Sequence, residues 1–452
     1  MLGKFAKITE IPELRRRLLF TMSLLAVYRI GVFITVPDVN RVAMQKIVSG
    51  AGGGILGLLN LFTGGALQLM SIFALGIMPY ISASIIMQMM GVVLPSVERL
   101  KKEGQTGQNK INQYTRYGTV LLSLIQGFLI SSYLINLNEG SPGLLIDTGI
   151  GFRLLTVLTL TTGAVFMMWL GEQITEYGLG NGISLLITAG IIAQFPAAVF
   201  STYQQFNSGA MSLFSVLLLL GIALAVTAFI VYVESAQRRV PLQYSKRTVG
   251  RRIYGAQQQH LPLKLNMAGV MPPIFASSFL IFPSTIASYF QDHPLGQVTQ
   301  QMLMPGDWRY TVIYVTLNVF FCFFWVSTQF NVVDIADNLR RSSAFVPGIR
   351  PGKKTAEYLD EVMTKLTVAA SVYISVVCIM PFIMQDYLGI SFYFGGTSLL
   401  IVVSVGLDTV SQIENYLLKK HYDDFGQMVN TTQGGGGGGI RGRSRDALDL
   451  DD

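Results

Sequence analysis

The sequence predicts an all-α, polytopic membrane protein with about ten transmembrane helices, because apolar runs near the ~20 residues that cross a bilayer recur that often. Of the 452 residues, 51% are hydrophobic and only 13% are charged, and the mean hydropathy is +0.47. This composition is typical of membrane proteins and excludes an ordinary soluble domain. Basic residues also gather in alternate loops, as they do in multi-pass proteins.

The apolar runs are the predicted membrane spans. They lie near residues 18–36, 69–94, 117–136, 154–171, 183–202, 211–233, 267–290, 310–331, 367–388 and 392–412. The first run begins near Leu18, is long enough to cross the bilayer, and has no small-residue cleavage site after it. We therefore expect it to be a retained transmembrane helix and not a cleaved signal peptide.

Loop charge predicts the orientation of these spans. Lys and Arg are dense before the first span and after the second, sixth, eighth and last spans, whereas the intervening loops carry few. The positive-inside rule then places both termini in the cytoplasm, and most of the net charge of +7 with them. The short loop after span four carries Glu172 and Glu176 but neither Lys nor Arg, so it adds nothing to this pattern.

One apolar segment is too short to span the membrane. The run from Ile55 to Phe62 lies between Gly52–Gly54 and the pair Gly64 and Gly65. A run of this length is more typical of a re-entrant or buried segment, and non-helical backbone at membrane depth needs protein or a water-filled cavity around it. A periplasmic amphipathic helix on the membrane surface is the alternative, and the segment alone leaves both interpretations open.

The pattern of polar residues argues against catalysis. The three histidines lie in loops or the tail, and neither an HExxH nor a GxSxG motif occurs. Charges within the spans are few, mainly Arg29, Glu172 and Asp408. Ion-coupled transporters usually converge such groups along their pathway. We therefore expect no enzymatic activity, no cofactor and no metal site.

Isoleucines recur at helical spacing in two spans. Ile77 and Ile81 are four residues apart and share a helix face, beyond a proline, Pro79, that can kink the helix, and Ile187 and Ile191 repeat the spacing in span five. Such residues usually pack against neighbours or face lipid. A ring of them around a narrow constriction would instead block water and ions by dewetting. The spacing alone leaves both roles open.

Two loops are longer than helix packing requires. Residues 234–266 and 332–366 each run for about thirty residues, against the usual two to eight between bundled helices. Their basic residues can serve orientation and attraction to anionic lipid, but long loops also tend to be functional. In Ala344–Gly352, AFVPGIRPG, two prolines and two glycines predict a tight turn that presents Arg350, either as a docking feature or simply as a turn.

Five specific stretches occur in order along the chain: FTGGALQLMSIFALGIMPYISASIIMQ, EQITEYGLGNGIS, LPLKLNMAGVMPPIFASS, FVPGIRPG and YFGGTSLLIVVSVGLD. They resemble the SecY family, the channel-forming subunits of the bacterial Sec protein translocon, over residues from about 5 to 425. The resemblance implies two inverted, pseudo-symmetric five-helix halves, 1–205 and 206–425, around an hourglass pore. The Gly-rich tail, 426–452, departs from the family pattern, and we expect it to be a flexible segment, native or engineered.

The same resemblance implies four sets of site residues. The pore ring is Ile77, Ile81, Ile187, Ile191, Ile274 and Ile401. The plug helix, at about residues 54–65, contributes Ile55, Leu56, Leu58, Leu59, Leu61 and Phe62. The lateral gate between spans two and seven, where a signal peptide inserts, includes Ser82, Met87, Gln126, Ser278 and Phe282. The docking surface for SecA and the ribosome includes Lys246, Arg247, Arg251, Arg252 and Arg350.

The function implied by the resemblance is a protein-conducting channel in the bacterial cytoplasmic membrane. It would translocate unfolded secretory polypeptides and release transmembrane segments laterally. The expected partners are SecE, SecG, the SecA motor ATPase, the ribosome, signal peptides with their nascent chains, and anionic lipids. A secondary transporter with a broken-helix substrate site is the alternative, which would converge ionisable groups at the membrane midplane where this chain has isoleucines.

Overall fold

The computed structural model describes residues 11–50, 60, 62–140, 143–209, 211–244, 247–249, 252–254, 258–289, 294–303, 307–388 and 396–433. The chain divides into two compact units, Met1–Leu407 and Asp408–Asp452. The first unit holds the predicted site residues. The second consists, in its described part, of the later portion of one helix.

The described part of the chain is mainly helical, in agreement with the predicted fold class. In chain order the helices are α1 (Pro12–Gly31), α2 (Arg41–Gly50), α3 (Met78–Val93), α4 (Pro95–Lys102), α5 (Gln105–Gly140), α6 (Ile150–Tyr177), α7 (Gly182–Asn207), α8 (Leu213–Ser235), α9 (Met271–Tyr289), α10 (Pro294–Met302), α11 (Trp308–Gln329), α12 (Val332–Arg341), α13 (Lys353–Leu388) and α14 (Gly396–Gln433). The strands are β1 (Gln237–Tyr244), β2 (Arg247–Val249), β3 (Arg252–Tyr254), β4 (Gln258–Lys264) and β5 (Ala344–Phe345).

Seven helical stretches within the described ranges are long and apolar enough to cross a membrane, or eight if a sharply bent pair forms one span. The seven are Gln105–Glu139, Ile150–Tyr177, Gly182–Asn207, Leu213–Ser235, Trp308–Arg341, Lys353–Pro381 and Gly396–Lys419. They match predicted spans three to six and eight to ten. Helix α1 has the length but carries Glu13 and four arginines, and in α9 the apolar stretch within the fully described residues, Met271–Ile281, is shorter than a span. The total of ten stays a prediction.

The second predicted span is not the continuous helix that its apolar sequence indicates. Residues 63–77 form turns, in which Met70 and Gly76 have positive φ angles of 44° and 57°. Helix α3 begins only at Met78, so Pro79 lies in the first turn, where a missing N–H costs nothing. The expectation that this proline kinks the helix is therefore wrong. The sharp bend, of 98°, comes later, between α3 and α4.

The described helices of the first unit are built around two apolar clusters. The larger cluster, which we call the central cluster, collects buried side chains from α1, α3, α6 to α9, α11, α13 and the first residues of α14. A smaller cluster joins residues 36–48, the turns at 67–75, the end of α5 and the start of α6. Helix α5 packs against α3 and α6, and α9 packs against α3, α5 and α11. This arrangement places α3 and α9 side by side.

The two long loops form a structure that an all-helical reading did not predict. Strands β4, β1 and β5 make an antiparallel sheet in that order, with Gln237 opposite Lys264 at the base of the β1–β4 hairpin. Buried Val240, Leu242 and Leu263 from the hairpin pack with Val346 from the second loop. Both loops therefore share one small core. Alternation of apolar residues, at 240 and 242 and again at 261 and 263, is the period-two signal of these strands.

Candidate functional site

The six isoleucines of the predicted ring come together in the central cluster. They come from four segments that are far apart in sequence: the start of α3, the middle of α7, the start of α9 and the start of α14. Their exposed fractions are small, at Ile77 4%, Ile81 5%, Ile187 3%, Ile191 3%, Ile274 1% and Ile401 0%. Sequence spacing related only the members of two pairs, and the structure adds that all four segments contribute to the same buried cluster.

Local helix geometry positions two of these segments. Ile77 is the residue before α3, and its carbonyl accepts the backbone N–H of Ile81 at 3.1 Å, so the two side chains lie one turn apart. Helix α7 is capped by Asn181, whose side-chain oxygen accepts from the backbone N–H of Ile183 at 3.1 Å and of Ser184 at 3.4 Å. This cap satisfies donors that a helix start leaves unpaired and sets where α7 begins.

Burial of the six side chains decides what this site can do chemically. An isoleucine side chain offers neither a hydrogen bond nor a charge, so the cluster cannot replace the hydration shell of an ion. Water scarcely reaches the six side chains in this structure. If these side chains line a narrow constriction, they would exclude water and ions by dewetting.

The predicted plug is only partly visible. Ile55, Leu56, Leu58, Leu59 and Leu61 lie outside the described residues. Phe62, which is described, is partly buried and packs against the central cluster that contains the ring.

The residues around Phe62 are held by three side-chain donors. Gln194 Nε2 on α7 donates to the carbonyl of Asn60 at 2.7 Å. On α1, Tyr28 Oη donates to the carbonyl of Thr63 at 3.2 Å, and Arg29 Nη1 donates to the carbonyl of Gly64 at 2.9 Å. We call residues 60–65 the anchor segment. It is the end of the predicted plug, and its backbone carbonyls bind side chains of α1 and α7.

The predicted lateral-gate residues lie on three neighbouring helices. Ser278 on α9 donates to the carbonyl of Ile274 at 2.8 Å, and its Oγ lies 3.4 Å from Met78 Sδ on α3. Ser82 and Met87 on α3 and Gln126 on α5 are partly buried, whereas the side chain of Phe282 is outside the described set. The structure therefore brings spans two and seven into contact, with a thioether and a hydroxyl at the meeting point.

Of the predicted docking residues, only Arg350 has a described side chain, and it is exposed. It follows a turn in which Ile349 N donates to the carbonyl of Val346 at 3.1 Å, and Thr355 Oγ1 donates to the carbonyl of Arg350 at 3.0 Å. The predicted turn is thus present. Lys246 and Arg251 lie outside the described residues, and Arg247 and Arg252 are placed only by their backbones, in β2 and β3.

Two arginines near the spans bind different partners at different places. Arg116 on α5 and Glu172 on α6 form a two-point ion pair, with Nη2 to Oε2 at 2.8 Å and Nε to Oε1 at 2.9 Å. Arg29 binds the anchor segment instead. Within the described ranges, no group of three or more His, Cys, Asp or Glu could hold a metal ion. These partners do not converge on one polar site, so a secondary transporter is not favoured.

Sequence reasoning missed one polar cluster. Glu234, at the end of α8, accepts hydrogen bonds from Asn266 and Ser404. An acidic residue at the end of so apolar a helix was the available signal, but its partners could not be known from the sequence.

Comparisons with known proteins identify the family of this chain. A model of the SecY family matches residues 71–410. The chain is 48% identical to the protein translocase subunit SecY of Escherichia coli strain K12 over 93% of this chain and 95% of that protein. For the Pseudomonas aeruginosa subunit the identity is 46%, over 95% and 97% of the two chains.

Two solved structures share the fold. One is a protein-conducting channel, with a TM-score of 0.63 and 18% identity over 90% of this chain and 96% of that one. The other is the channel of a canine ribosome-channel complex from the endoplasmic reticulum, with a TM-score of 0.59 and 17% identity over the same shares.

Proposed function

The chain belongs to the SecY family of protein translocase subunits, and on that basis we propose that its six ring isoleucines form the closed constriction of a protein-conducting channel. The channel translocates unfolded secretory polypeptides across the membrane and releases transmembrane segments laterally. The observation that carries the ring assignment is the meeting of isoleucines from four distant segments in one buried cluster. An apolar ring seals around any passing side chain because it makes no sequence-specific hydrogen bonds.

The lateral gate lies between α3 and α9 in this proposal. Its polar contact, between Ser278 and Met78, is weak, because sulfur is a poor hydrogen-bond acceptor. A signal peptide with an apolar stretch of about 7–15 residues would replace this contact with its own surface. Burial at ~25 cal/mol per Å² of apolar area then favours the open state. The flexible thioethers of Met78 and Met87 suit partners of varied shape.

The plug at about residues 54–65 closes the external side of the ring. Phe62 against the central cluster and the three donors to the anchor segment support this assignment. Because a plug must leave the pore, it must be held weakly compared with the core of the protein. Hydrogen bonds to backbone carbonyls satisfy that requirement, since each contributes only about 0.5–1.5 kcal/mol, or roughly twice that from a charged donor.

The long loops form the docking surface for cytoplasmic partners. The shared core of the two loops and the exposed Arg350 support this assignment, and a solved relative of this fold is bound to a ribosome. SecA and the ribosome would bind here, with salt-dependent attraction between RNA phosphates and the basic residues of the first loop. SecE and SecG are the proposed membrane subunits, and anionic lipids would contact the same basic loops.

The loop charges support a bacterial cytoplasmic-membrane location with both termini in the cytoplasm. The two halves of the channel are residues 1–205 and 206–425. The chain hydrolyses nothing itself, and the energy for translocation comes from its partners.

Ion conductance in planar bilayers tests the ring. Ile191→Ser removes a side chain that is 3% exposed, and Ile192→Ser removes its neighbour, which is 52% exposed on the same helix. Losing about 2 kcal/mol of apolar burial from the closed state corresponds to a roughly thirtyfold rise in the open-to-closed ratio. We expect Ile191→Ser to leak and Ile192→Ser to stay closed. Equal conductance in the two variants would refute the ring.

A second measurement tests the plug with the intact protein and a deletion of residues 55–62. We expect closed intact channels and brief openings after the deletion. If both proteins stay closed while Ile191→Ser leaks, the short segment is not a plug although the ring remains.

A further inference from the structure

A single carboxylate joins three segments that converge on the ring. Glu234 Oε1, at the end of α8, accepts a hydrogen bond from Asn266 Nδ2 at 2.8 Å and another from Ser404 Oγ at 2.8 Å. The two donors lie 32 and 170 positions away along the chain. Asn266 is 2% exposed and Ser404 is 5% exposed, so both donors are buried, whereas Glu234 itself is partly exposed at the end of α8. We call these three residues the carboxylate bridge.

The Asn266 arm leads to the start of α9. Asn266 lies between β4 and α9, and its side chain closes a turn: Oδ1 accepts from the N–H of Gly269 at 3.0 Å, and Nδ2 lies 3.1 Å from the carbonyl of the same glycine. Helix α9 begins two residues later and carries Ile274 in its first turns. The position of Asn266 therefore sets where this ring helix starts.

The Ser404 arm leads to α14. Ser404 follows Ile401 by three residues, so both side chains lie on the same helix face. Both are buried, and they belong to the first compact unit of the chain. A hydrogen bond donated by Ser404 therefore restrains rotation of this part of α14 about its axis. That rotation determines the direction in which the Ile401 side chain points.

A third connection runs to the base of the hairpin. Leu265, next to Asn266, donates its N–H to the carbonyl of Ala236 at 2.9 Å, and Ala236 follows the last residue of α8. The carboxylate bridge therefore lies where α8, the hairpin and α9 meet, directly beside α14.

We propose that Glu234 is a positioning residue, which holds Ile274 and Ile401 in the closed ring by fixing the start of α9 and the rotation of α14. This inference rests on the proposed function of the ring. Both donors are buried, and a hydrogen bond whose donor is shielded from water is stronger than the same bond in water. Two ring helices held by the same oxygen atom also move together, since shifting either one disturbs the acceptor of the other.

The test compares two substitutions of nearly equal volume at one position. Ser404→Thr keeps a hydroxyl that can donate to Glu234, and Ser404→Val does not. Ser235→Ala, at the exposed residue next to Glu234, is the control for changes at the end of α8. Each variant is reconstituted with its membrane partners, and closed-state ion conductance is measured beside the melting temperature and beside Ile191→Ser.

Loss of one hydrogen bond to a charged group predicts a roughly tenfold rise in leak conductance for Ser404→Val. We expect Ser404→Thr and Ser235→Ala to stay within about twofold of the parent protein, because both leave the bridge intact. Glu234→Ala should leak at least as much as Ser404→Val, and adding Ser404→Val to it should have little further effect, since both remove the same bond.

Two results would overturn the proposal. One is equal leak from the Ser404→Val and Ser404→Thr channels, whatever their melting temperatures. The other is closed-state conductance that is unchanged in every bridge variant although Ile191→Ser leaks. That result would support the ring and show that the carboxylate bridge does not help to close it. If Ile191→Ser also shows no increase in closed-state conductance, the proposed function of the ring is wrong, and the bridge proposal fails with it.

Discussion

Substitution of Gly64 by alanine tests whether close packing of the anchor segment against α1 and α7 is needed to keep the channel closed. A Cβ on Gly64 would lie 2.6 Å from the Cα of Gly190 on α7 and 2.8 Å from Tyr28 Oη on α1. The residue also has a φ angle of +66°, in the left-handed region that side chains disfavour. The adjacent Gly65 has a φ angle of +86° but has nothing within 4 Å of its ideal Cβ.

The two glycines separate backbone strain from packing. Alanine at either position costs roughly 1–2 kcal/mol in left-handed strain. Only Gly64→Ala adds a backbone clash with α7, and overpacking of that kind typically costs about 1–3 kcal/mol more. If the anchor segment rests on α7 only when the channel is closed, this difference shifts the open-to-closed ratio by roughly 5-fold to 150-fold.

The assay is closed-state conductance of both variants in planar bilayers, with the intact protein as reference. We expect Gly64→Ala to leak clearly more than Gly65→Ala, and Gly65→Ala to resemble the intact channel more closely. Equal leak from the two variants would refute the reasoning, because it would mean that contact with Gly190 contributes nothing to closure.

Substitutions at three further positions test other parts of the structure. Asn181→Ala should lower the free energy of unfolding by about 1 kcal/mol through loss of the α7 cap, measured by thermal unfolding in detergent; an unchanged melting temperature would contradict the cap. Val240→Ala should weaken ribosome binding in a sedimentation assay without opening the channel, because it removes two methyl groups from the core shared by the two loops. A leaking channel with normal ribosome binding would contradict the assignment of this core to docking and not to closure. Arg116→Ala should destabilise by up to about 1 kcal/mol, since the Arg116–Glu172 pair is partly exposed, and Arg116→Lys should recover only part of this loss because it lacks the planar fork. An Arg116→Lys variant as stable as the parent protein would show that the two-point geometry is unimportant.

Hydropathy predicted most of the spans because crossing a bilayer imposes a length and an apolar composition on each helix. The rule is incomplete where other constraints act. Helix α1 carries arginines through its first turns, and the segment before Met78 is as apolar as a span but folds into turns with positive φ angles. Hydropathy does not register backbone conformation, so the break in span two could not be predicted from composition.

The candidate site was predictable in part. Helical spacing paired Ile77 with Ile81, and Ile187 with Ile191, and only the family resemblance added Ile274 and Ile401. The structure places all six in one buried cluster, while their role as a ring stays a prediction. The contact between Glu234 and Ser404 spans 170 positions, and no local pattern in a single sequence encodes so distant a partner.

The shared core of the two long loops has an evolutionary consequence. Val346 fills the hairpin core beside Val240 and Leu263, although it belongs to a different loop nearly a hundred positions later in the chain. A larger residue on one side of this core therefore requires a smaller one on the other. Across related chains, volume at these positions should covary, and a hairpin transplanted from a distant relative should function only when the segment around Val346 is transplanted with it.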